Sequence, residues 1–373
     1  MIYFDSAATT FQKPASVSAA MQDAMKTMTT PGRGGHPAAM RAADTTFACR
    51  SELAELFGLE NPGQVVFTMN ATHALNIAIK TLVRPGSRVV ISGYEHNAVS
   101  RPLAALGTKT MVASAPLFQP DAVIEAFDRL INAETSAVIC NHISNVFGFI
   151  QPVEKVAAIC RKRHVPLIID ASQSAGVLPL NMTELGADFI AMPGHKGLYG
   201  PQGTGVLLCG RKQVQTLLEG GTGSLSIQQE MPDFLPDRLE AGTHNMPGIA
   251  GLLEGVRFVR KRGLSSICDR ERRLTLMMAE GLRSLSGLHV YAMPGLREQA
   301  GVLSVVPAGK DVEVVGSQLA ERGIAIRSGI HCAPLAHRNA GTLDTGTIRI
   351  SFSDFNTPEE VWKSLAVFRR ILG

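Results

Sequence analysis

Between Gln64 and Cys209 the chain repeats one alternation: a short continuous run of apolar, β-branched residues, then a longer stretch with apolar positions at helical spacing. The runs QVVFTM, RVVIS, KTMVA, SAVICN, VPLIID, DFIAM and GVLLC predict strands, and THALNIAIKTLV and PVEKVAAICRKRH predict helices between them. Near-continuous apolar strands joined by amphipathic helices belong to a mostly parallel sheet covered on both faces. Past Asn245 the texture changes. Long helical patterns (PGIAGLLEGVRFVRKRG, ICDRERRLTLMMAEGLRSL) precede short strands GVLSVV, GIAIRS and TIRISF and a final helix, TPEEVWKSLAVFRRIL. The expected fold is α/β. A large, mostly parallel sheet domain spans 15–246, and residues 1–14 and 247–373 form a smaller α+β domain. No internal repeat, low-complexity segment or flexible linker is visible.

Composition narrows the reading. A length of 373 residues suits a large domain with a smaller companion. Charged residues are 18% and hydrophobic residues 45%, against about 25% charged in ordinary soluble proteins. That suits a large interior with an apolar subunit interface in addition. The net charge of +4 is mild, and no basic run or Arg/aromatic interleaving points to nucleic acid. MIYFDSAATTF lacks the basic start and apolar stretch of a signal peptide, and no apolar run approaches the roughly 20 residues that span a bilayer. The six cysteines show no zinc-type pairing and no disulfide framework. A reducing cytoplasm is therefore expected, with no metal and no membrane. Most of these thiols sit in apolar runs such as AVICN and VLLCG, where an inert buried cysteine is the default. Cys332, in RSGIHCAPL, is the exception.

In open parallel sheets, ligands bind beyond the carboxyl ends of the strands. The residues at and just past the ends of these runs place Thr72, His96, Asn145, Asp170 with Gln173, and His195 with Lys196 on one edge. The last pair lies in PGHKGLYGPQGTG, a lysine among glycines. A P-loop would need G-x-x-x-x-G-K-[ST] leading into a helix. Here Gly197 follows the lysine and the stretch leads into another strand. The alternative is an amine that forms a Schiff base with a carbonyl cofactor. Pyridoxal phosphate needs such a lysine, an anion for its pyridinium nitrogen and donors for its phosphate. Asp170 can be the anion, and the helix opened by NATHALN offers free N–H groups with the Thr72 hydroxyl. His96 presents a flat face for stacking. Each residue also has a plain reading: Lys196 in a surface turn, Asp170 capping a turn, His96 an ordinary loop histidine. Their joint pattern favours the cofactor.

Taken with YFDSAATTFQKP, GRGGH, EHNA, SNVFG, DASQSAG, EAGTHN and RSGIHCAPL, in this order along nearly the whole chain, the sequence resembles the fold type I, class V aminotransferase-like enzymes. Within them it is similar to the cysteine desulfurases and selenocysteine lyases. The resemblance implies pyridoxal phosphate on Lys196, His96 stacked on its ring and moving protons, and Asp170 on the pyridine nitrogen. It implies Gln173 on the ring hydroxyl and Ala71, Thr72, His73 and His195 at the phosphate. Thr243 would reach the phosphate from a neighbouring subunit, hence a homodimer with shared sites. Arg349 would clamp the substrate carboxylate in the bidentate manner of a guanidinium, with Arg327, Asn145 and His36 as further substrate contacts.

By the same resemblance the Cys332 thiolate takes sulfur from L-cysteine, leaving a persulfide on the enzyme and alanine as product, with a sulfur-acceptor protein next in line. The short RSGIHCAPL loop is similar to that of the sulfur-mobilising group. His331 is not assigned as a base for Cys332, since successive side chains in an extended chain point opposite ways. Two positions depart from the family pattern. Pro193 stands where a hydroxyl donor is usual and His73 where an acid is usual, which marks a divergent branch. Rival readings are a selenocysteine lyase with L-selenocysteine as substrate, a class V aminotransferase that has no use for Cys332, and a scaffold that has lost catalysis.

Overall fold

A computed structural model describes residues 1–32 and 34–372. The chain opens with β1 (Ile2–Tyr3), α1 (Ala15–Thr27) and α2 (Pro37–Leu56), then enters the alternating region. There β2 (Val65–Thr68), α3 (Ala71–Leu82), β3 (Arg88–Ser92), α4 (Asn97–Ala105), β4 (Lys109–Ala113), α5 (Pro120–Leu130) and β5 (Thr135–Asn141) succeed one another. Next come α6 (Val153–Arg163), β6 (Leu167–Asp170), α7 (Met182–Leu185), β7 (Phe189–Pro193) and β8 (Gly205–Cys209). Each expected strand of this region forms. The seven build one sheet in the order β2-β8-β7-β6-β5-β3-β4, in which only β8 runs against its neighbours.

The apolar runs are continuous because both faces of this sheet are buried. Val138 and Cys140 of β5 enter one core with Ile169, Ile190 and Leu208. Ala137 and Ile139 enter the opposite core with Ile168, Phe189 and Leu207. The two-residue side-chain period of a strand sorts them.

After the sheet come α8 (Met246–Arg262), α9 (Leu264–Arg283), β9 (Leu288–Tyr291), β10 (Val302–Pro307), α10 (Val312–Glu321), β11 (Ile324–Ala325) and β12 (Arg327–Gly329). The chain closes with α11 (Pro334–Ala340), β13 (Thr347–Ser351) and α12 (Pro358–Leu372). An antiparallel sheet in the order β12-β13-β10-β9 carries α9, α10 and α12 over a core of Leu274, Met278, Leu303, Val305, Ile348, Ile350 and Phe368. This is the smaller α+β unit. Two details differ from the sequence reading. The GIAIRS run is broken at Ile326: β11 pairs in parallel with β1, while β12 pairs with β13. And α8 packs against α1 and α2, sending Ile249, Leu252 and Val256 into the larger core. We therefore draw the boundary between the units after Arg262 instead of at 246/247.

The N-terminal segment crosses between the units. Phe4 joins the smaller core, and Asp5 forms a bridge with Ser351. Further along, Thr10 N–H donates to His195 O at 3.1 Å in the larger unit.

Candidate active site

The glycines around Lys196 make room for backbone. Past β7 the chain folds back on itself, with Gly200 N donating to Gly194 O at 2.8 Å, before it enters β8. A Cβ at Gly197 would sit 2.4 Å from Ala175 O, and one at Gly176 (φ +85°) 2.1 Å from Gly197 O. Both distances are far inside van der Waals contact, and the positive φ at Gly176 disfavours any L side chain as well. Lys196 thus rides on a turn wedged against the Ala175–Gly176 segment. Thr9 Oγ1 and Thr10 Oγ1 also donate to His195 O, at 3.2 and 3.0 Å.

Lys196 lines a cavity of about 230 Å³ at the carboxyl edge of the parallel strands, and most of the residues singled out in the sequence meet there. Ala71 and Thr72 come from the first turn of α3, His96 from the cap of α4, Asn145 from beyond β5, Asp170 and Gln173 from the end of β6 and the turn after it, and His195 precedes the lysine. Arg327 and Arg349 arrive from β12 and β13 of the smaller unit. Burial, with the Arg349 and Arg327 charges acting in the same direction, lowers the Lys196 amine to about 8 against the pull of Asp170. Among the described residues no side chain or carbonyl hydrogen-bonds its Nζ.

Neighbouring groups are held in defined states. His96 Nδ1 accepts from Ala98 N at 3.0 Å, so the neutral ring carries its proton on Nε2. Burial first, then Lys196, Arg327 and Arg349, lower its pKa, with Asp170 opposing. His195 is lowered to about 4, chiefly by burial and then by Lys196 and Lys13, and its Nδ1 lies 3.1 Å from Thr9 Oγ1. Asp170 Oδ1 accepts from Ser172 N at 2.9 Å, and Gln173 Nε2 donates to Ala7 O at 2.9 Å. Asn70 Oδ1 takes the His73 N–H at 2.9 Å. That leaves the amides of Ala71 and Thr72, first-turn groups with no intrahelical acceptor, at the cavity. Three buried atoms of lining residues, Asn145 Oδ1, His331 Nδ1 and Arg349 Nε, have no hydrogen-bond partner among the described residues, the mark of a site shaped for a polar ligand. Pro193 also lines the cavity, with neither hydroxyl nor N–H to offer.

Four of the singled-out residues lie elsewhere. His73 and Thr243 line a second cavity of about 220 Å³ with Glu240 and His244. His36 caps α2 through Ala39 N and is exposed. Cys332 is half-buried outside the cavity lining, but its backbone is tied to it. Asn97 N, one residue past His96, donates to Cys332 O at 2.7 Å, and Asn145 Nδ2 donates to His331 O at 2.8 Å. His331 and Cys332 both adopt positive φ, 51° and 56°, a region that costs non-glycine residues roughly 1–3 kcal/mol each. Their ties to α4, Asn145 and β13 hold that shape. The buried His331 ring faces β13, with Nε2 3.1 Å from Thr347 O.

Two residues at the site escaped the sequence reading. Glu95 is 1% exposed beside His96 and accepts from Ser92 Oγ at 2.6 Å and Asn141 N at 2.7 Å. Burial raises its carboxyl to about 8. Asp5 forms an ion pair with Arg349, Nη2 to Oδ1 at 2.6 Å. The DSAATT motif contained the signal for Asp5, but only as an acid near the start of the chain.

The model of the aminotransferase class-V family matches residues 2–363. A probable cysteine desulfurase of Mycolicibacterium paratuberculosis is 31% identical over the whole of this chain, which spans 55% of that relative's length. A probable cysteine desulfurase of Methanothermobacter thermautotrophicus is 31% identical over 96% of this chain and 92% of its own. Among solved structures, the apo cysteine desulfurase of Thermococcus onnurineus NA1 superposes with a TM-score of 0.89 at 30% identity, covering 100% of this chain and 94% of that one.

Proposed function

The chain belongs to the class-V aminotransferase family, and from that premise we propose that it is a pyridoxal phosphate-dependent cysteine desulfurase that converts L-cysteine to L-alanine and leaves a persulfide on Cys332. The observation that carries this reading is the meeting of Lys196, Asp170, His96 and Arg349 in one cavity whose wall is tied to the Cys332 loop. An aminotransferase or a scaffold would have no need of that loop.

The residues present fit the cofactor. Lys196 offers for the aldehyde an amine with no hydrogen-bond partner among the described residues, Asp170 a carboxylate for the ring nitrogen, and Gln173 an amide beside it. Thr72, His195 and the first-turn amides of α3 are the donors for its phosphate, with Pro193 contributing none. When bound, the cofactor supplies an electron sink that makes bonds to the substrate's α and β carbons easier to break. Around it the chain's own residues bind and move protons. Arg349 takes the substrate carboxylate, with Arg327 adding positive charge and Asn145 a polar contact. His96 would face the bound ring and could exchange the proton on its Nε2, and Cys332 would be the sulfur nucleophile.

Thr243 faces a second cavity, and in the family reading it reaches the phosphate in the site of a second copy, in a homodimer with shared sites. The half-buried Cys332 is open to a sulfur-accepting protein. All six cysteines are free, as suits a reducing cytoplasm, and no helix among the described residues is long and apolar enough to cross a membrane. The test is direct. Purified protein with pyridoxal phosphate, L-cysteine and a thiol reductant should release sulfide and alanine in equal amounts. Amino-group transfer without sulfide would move the aminotransferase reading ahead.

Two expectations arise from the site. Capture of the cofactor needs the neutral Lys196 amine, and that amine is held at about 8. With the cofactor stripped, the rate of recapture should rise as pH passes upward through about 8 and level off above it. A rate flat from about pH 7 to 9 would mean the amine is already neutral. Arg349→Ala should chiefly weaken substrate binding. Losing a buried charged contact costs on the order of 2–5 kcal/mol, which is a KM raised at least about thirtyfold. Unchanged saturation by cysteine would assign the carboxylate to another residue.

A further inference from the structure

Arg349 is 1% exposed. It donates to Asn145 O from Nη1 at 3.1 Å and to Asp5 Oδ1 from Nη2 at 2.6 Å. Nε has no partner. Of five guanidinium N–H groups, two are therefore spent on the protein. Arg327 stands directly opposite Arg349 in the β12–β13 register. Like charges opposite one another on adjacent strands repel, an arrangement that suits an anionic ligand between them. Asp5 is the acid that pairs with Arg349, and it stands outside the cavity lining while Arg349 and Arg327 belong to it.

The approach of Asp5 is built into the fold. β1 is fixed by its parallel pairing to β11, and the next residues run beside β13. Ala7 N donates to Ser351 Oγ at 2.9 Å. Arg349 and Ser351 share a face of β13, and the Asp5–Ser351 bridge, with the Ala7 contact to Ser351 in the turn that follows, holds Asp5 beside Arg349. The same segment then bonds Gln173 through Ala7 O and the His195 carbonyl through Thr9 and Thr10. One short stretch of chain thus touches the carboxylate arginine, a ring-contact residue and the backbone of the lysine turn.

We propose that Asp5 is a positioning residue for substrate recognition, gripping Arg349 from behind the cavity so that its remaining N–H groups face the substrate carboxylate in a fixed orientation. This rests on the desulfurase reading and adds a residue to it. A fixed fork loses less freedom on binding than one that must be ordered by the ligand. The role belongs to hydrogen-bond geometry, so an amide oxygen at the same place can fill it, and a methyl group cannot.

The experiment uses the full-length, cofactor-loaded protein as wild type, Asp5→Ala and Asp5→Asn. The visible absorption of the cofactor is titrated with L-cysteine and with cysteamine, the same amine and thiol without a carboxylate. KM and kcat for L-cysteine and thermal stability are measured alongside. Asp5→Ala should bind L-cysteine about tenfold or more weaker, with cysteamine titration unchanged and the loss falling on KM instead of kcat. Asp5→Asn should recover most of the wild-type affinity. Equal weakening toward both ligands, or none toward either, would make the pair a fold contact only and overturn the proposal. So would an Asp5→Asn variant that binds L-cysteine tighter than wild type, because Asp5 would then be competing with substrate for Arg349. If Asp5→Ala fails to fold, Asp5→Ser, whose shorter side chain cannot reach Arg349 in the same way, takes its place in the same two titrations. A wild type that shows the cofactor's absorption but no response to L-cysteine would sink the desulfurase reading and this proposal with it. A responsive wild type with a mismatched variant pattern would sink only the proposal.

Discussion

Lys196→Ala should yield a protein that purifies without the yellow colour of the wild type and releases no alanine from cysteine, a loss of at least about a thousandfold for removal of a group acting covalently with its site. The effect should exceed that of any other single substitution on cofactor retention, for a structural reason. Lys196 Nζ has no protein partner in the described structure, and burial with two arginines nearby lowers it to about 8. Its removal breaks no hydrogen bond and leaves the turn intact, because Gly176 and Gly197 and the Thr9 and Thr10 contacts shape that turn through the backbone. Folding stability without cofactor should therefore stay within about 0.5 kcal/mol of wild type or rise slightly, as a buried amine is costly. Spectrophotometry after reconstitution and dialysis, beside thermal melting, reads both quantities. A variant that keeps the yellow band and turns over cysteine would end the cofactor assignment.

The residues around that lysine were legible in the sequence because strand ends are. A run such as VPLIID has both faces buried, so its length and its last residue can be read without knowing its neighbours, and Asp170 lands at the edge where ligands collect. The contacts that bring the smaller unit into the site were not legible. The Asp5–Arg349 pair joins residues 344 positions apart, and neither periodicity nor composition carries pairing over such a distance. The helical pattern of α8 announces a buried face but not which core receives it, which is why the unit boundary moved to Arg262. The break at Ile326 was hidden for a related reason: β11 and β12 are each satisfied by a different partner strand, a fact about β1 and β13 instead of the run itself. Positive φ at His331 and Cys332 was equally invisible, since nothing in the residue types asks for it.

That strained loop sets the second large effect. Cys332→Ala should lose nearly all activity toward L-cysteine, on the order of a hundredfold or more, while keeping a substantial part of its activity toward L-selenocysteine. With cysteine, the thiolate attacks the substrate sulfur: an S–S bond forms, the carbon–sulfur bond breaks, and its electron pair stays with the carbon skeleton, which takes up a proton and leaves as alanine. Splitting one hard step in two is what a nucleophile contributes, and the substrate sulfur, which gives up its bonding pair to carbon, needs the thiolate to accept it. A selenol is far more acidic and its bond to carbon weaker, so selenium can depart at the elemental level with less help, the bonding pair staying with the carbon that takes up a proton and leaves as alanine. The loop's ties run through the Asn97 N–H to Cys332 O and the Asn145 side chain to His331 O, and alanine preserves both. The variant thus removes the sulfur and keeps the wall of the cavity, so cofactor absorption and the KM for either substrate should hold. Alanine formation from the two substrates, at matched cofactor occupancy, measures the split. Equal and modest losses on both would show that Cys332 is not the nucleophile, and the aminotransferase reading would then account better for a site that has every other part in place.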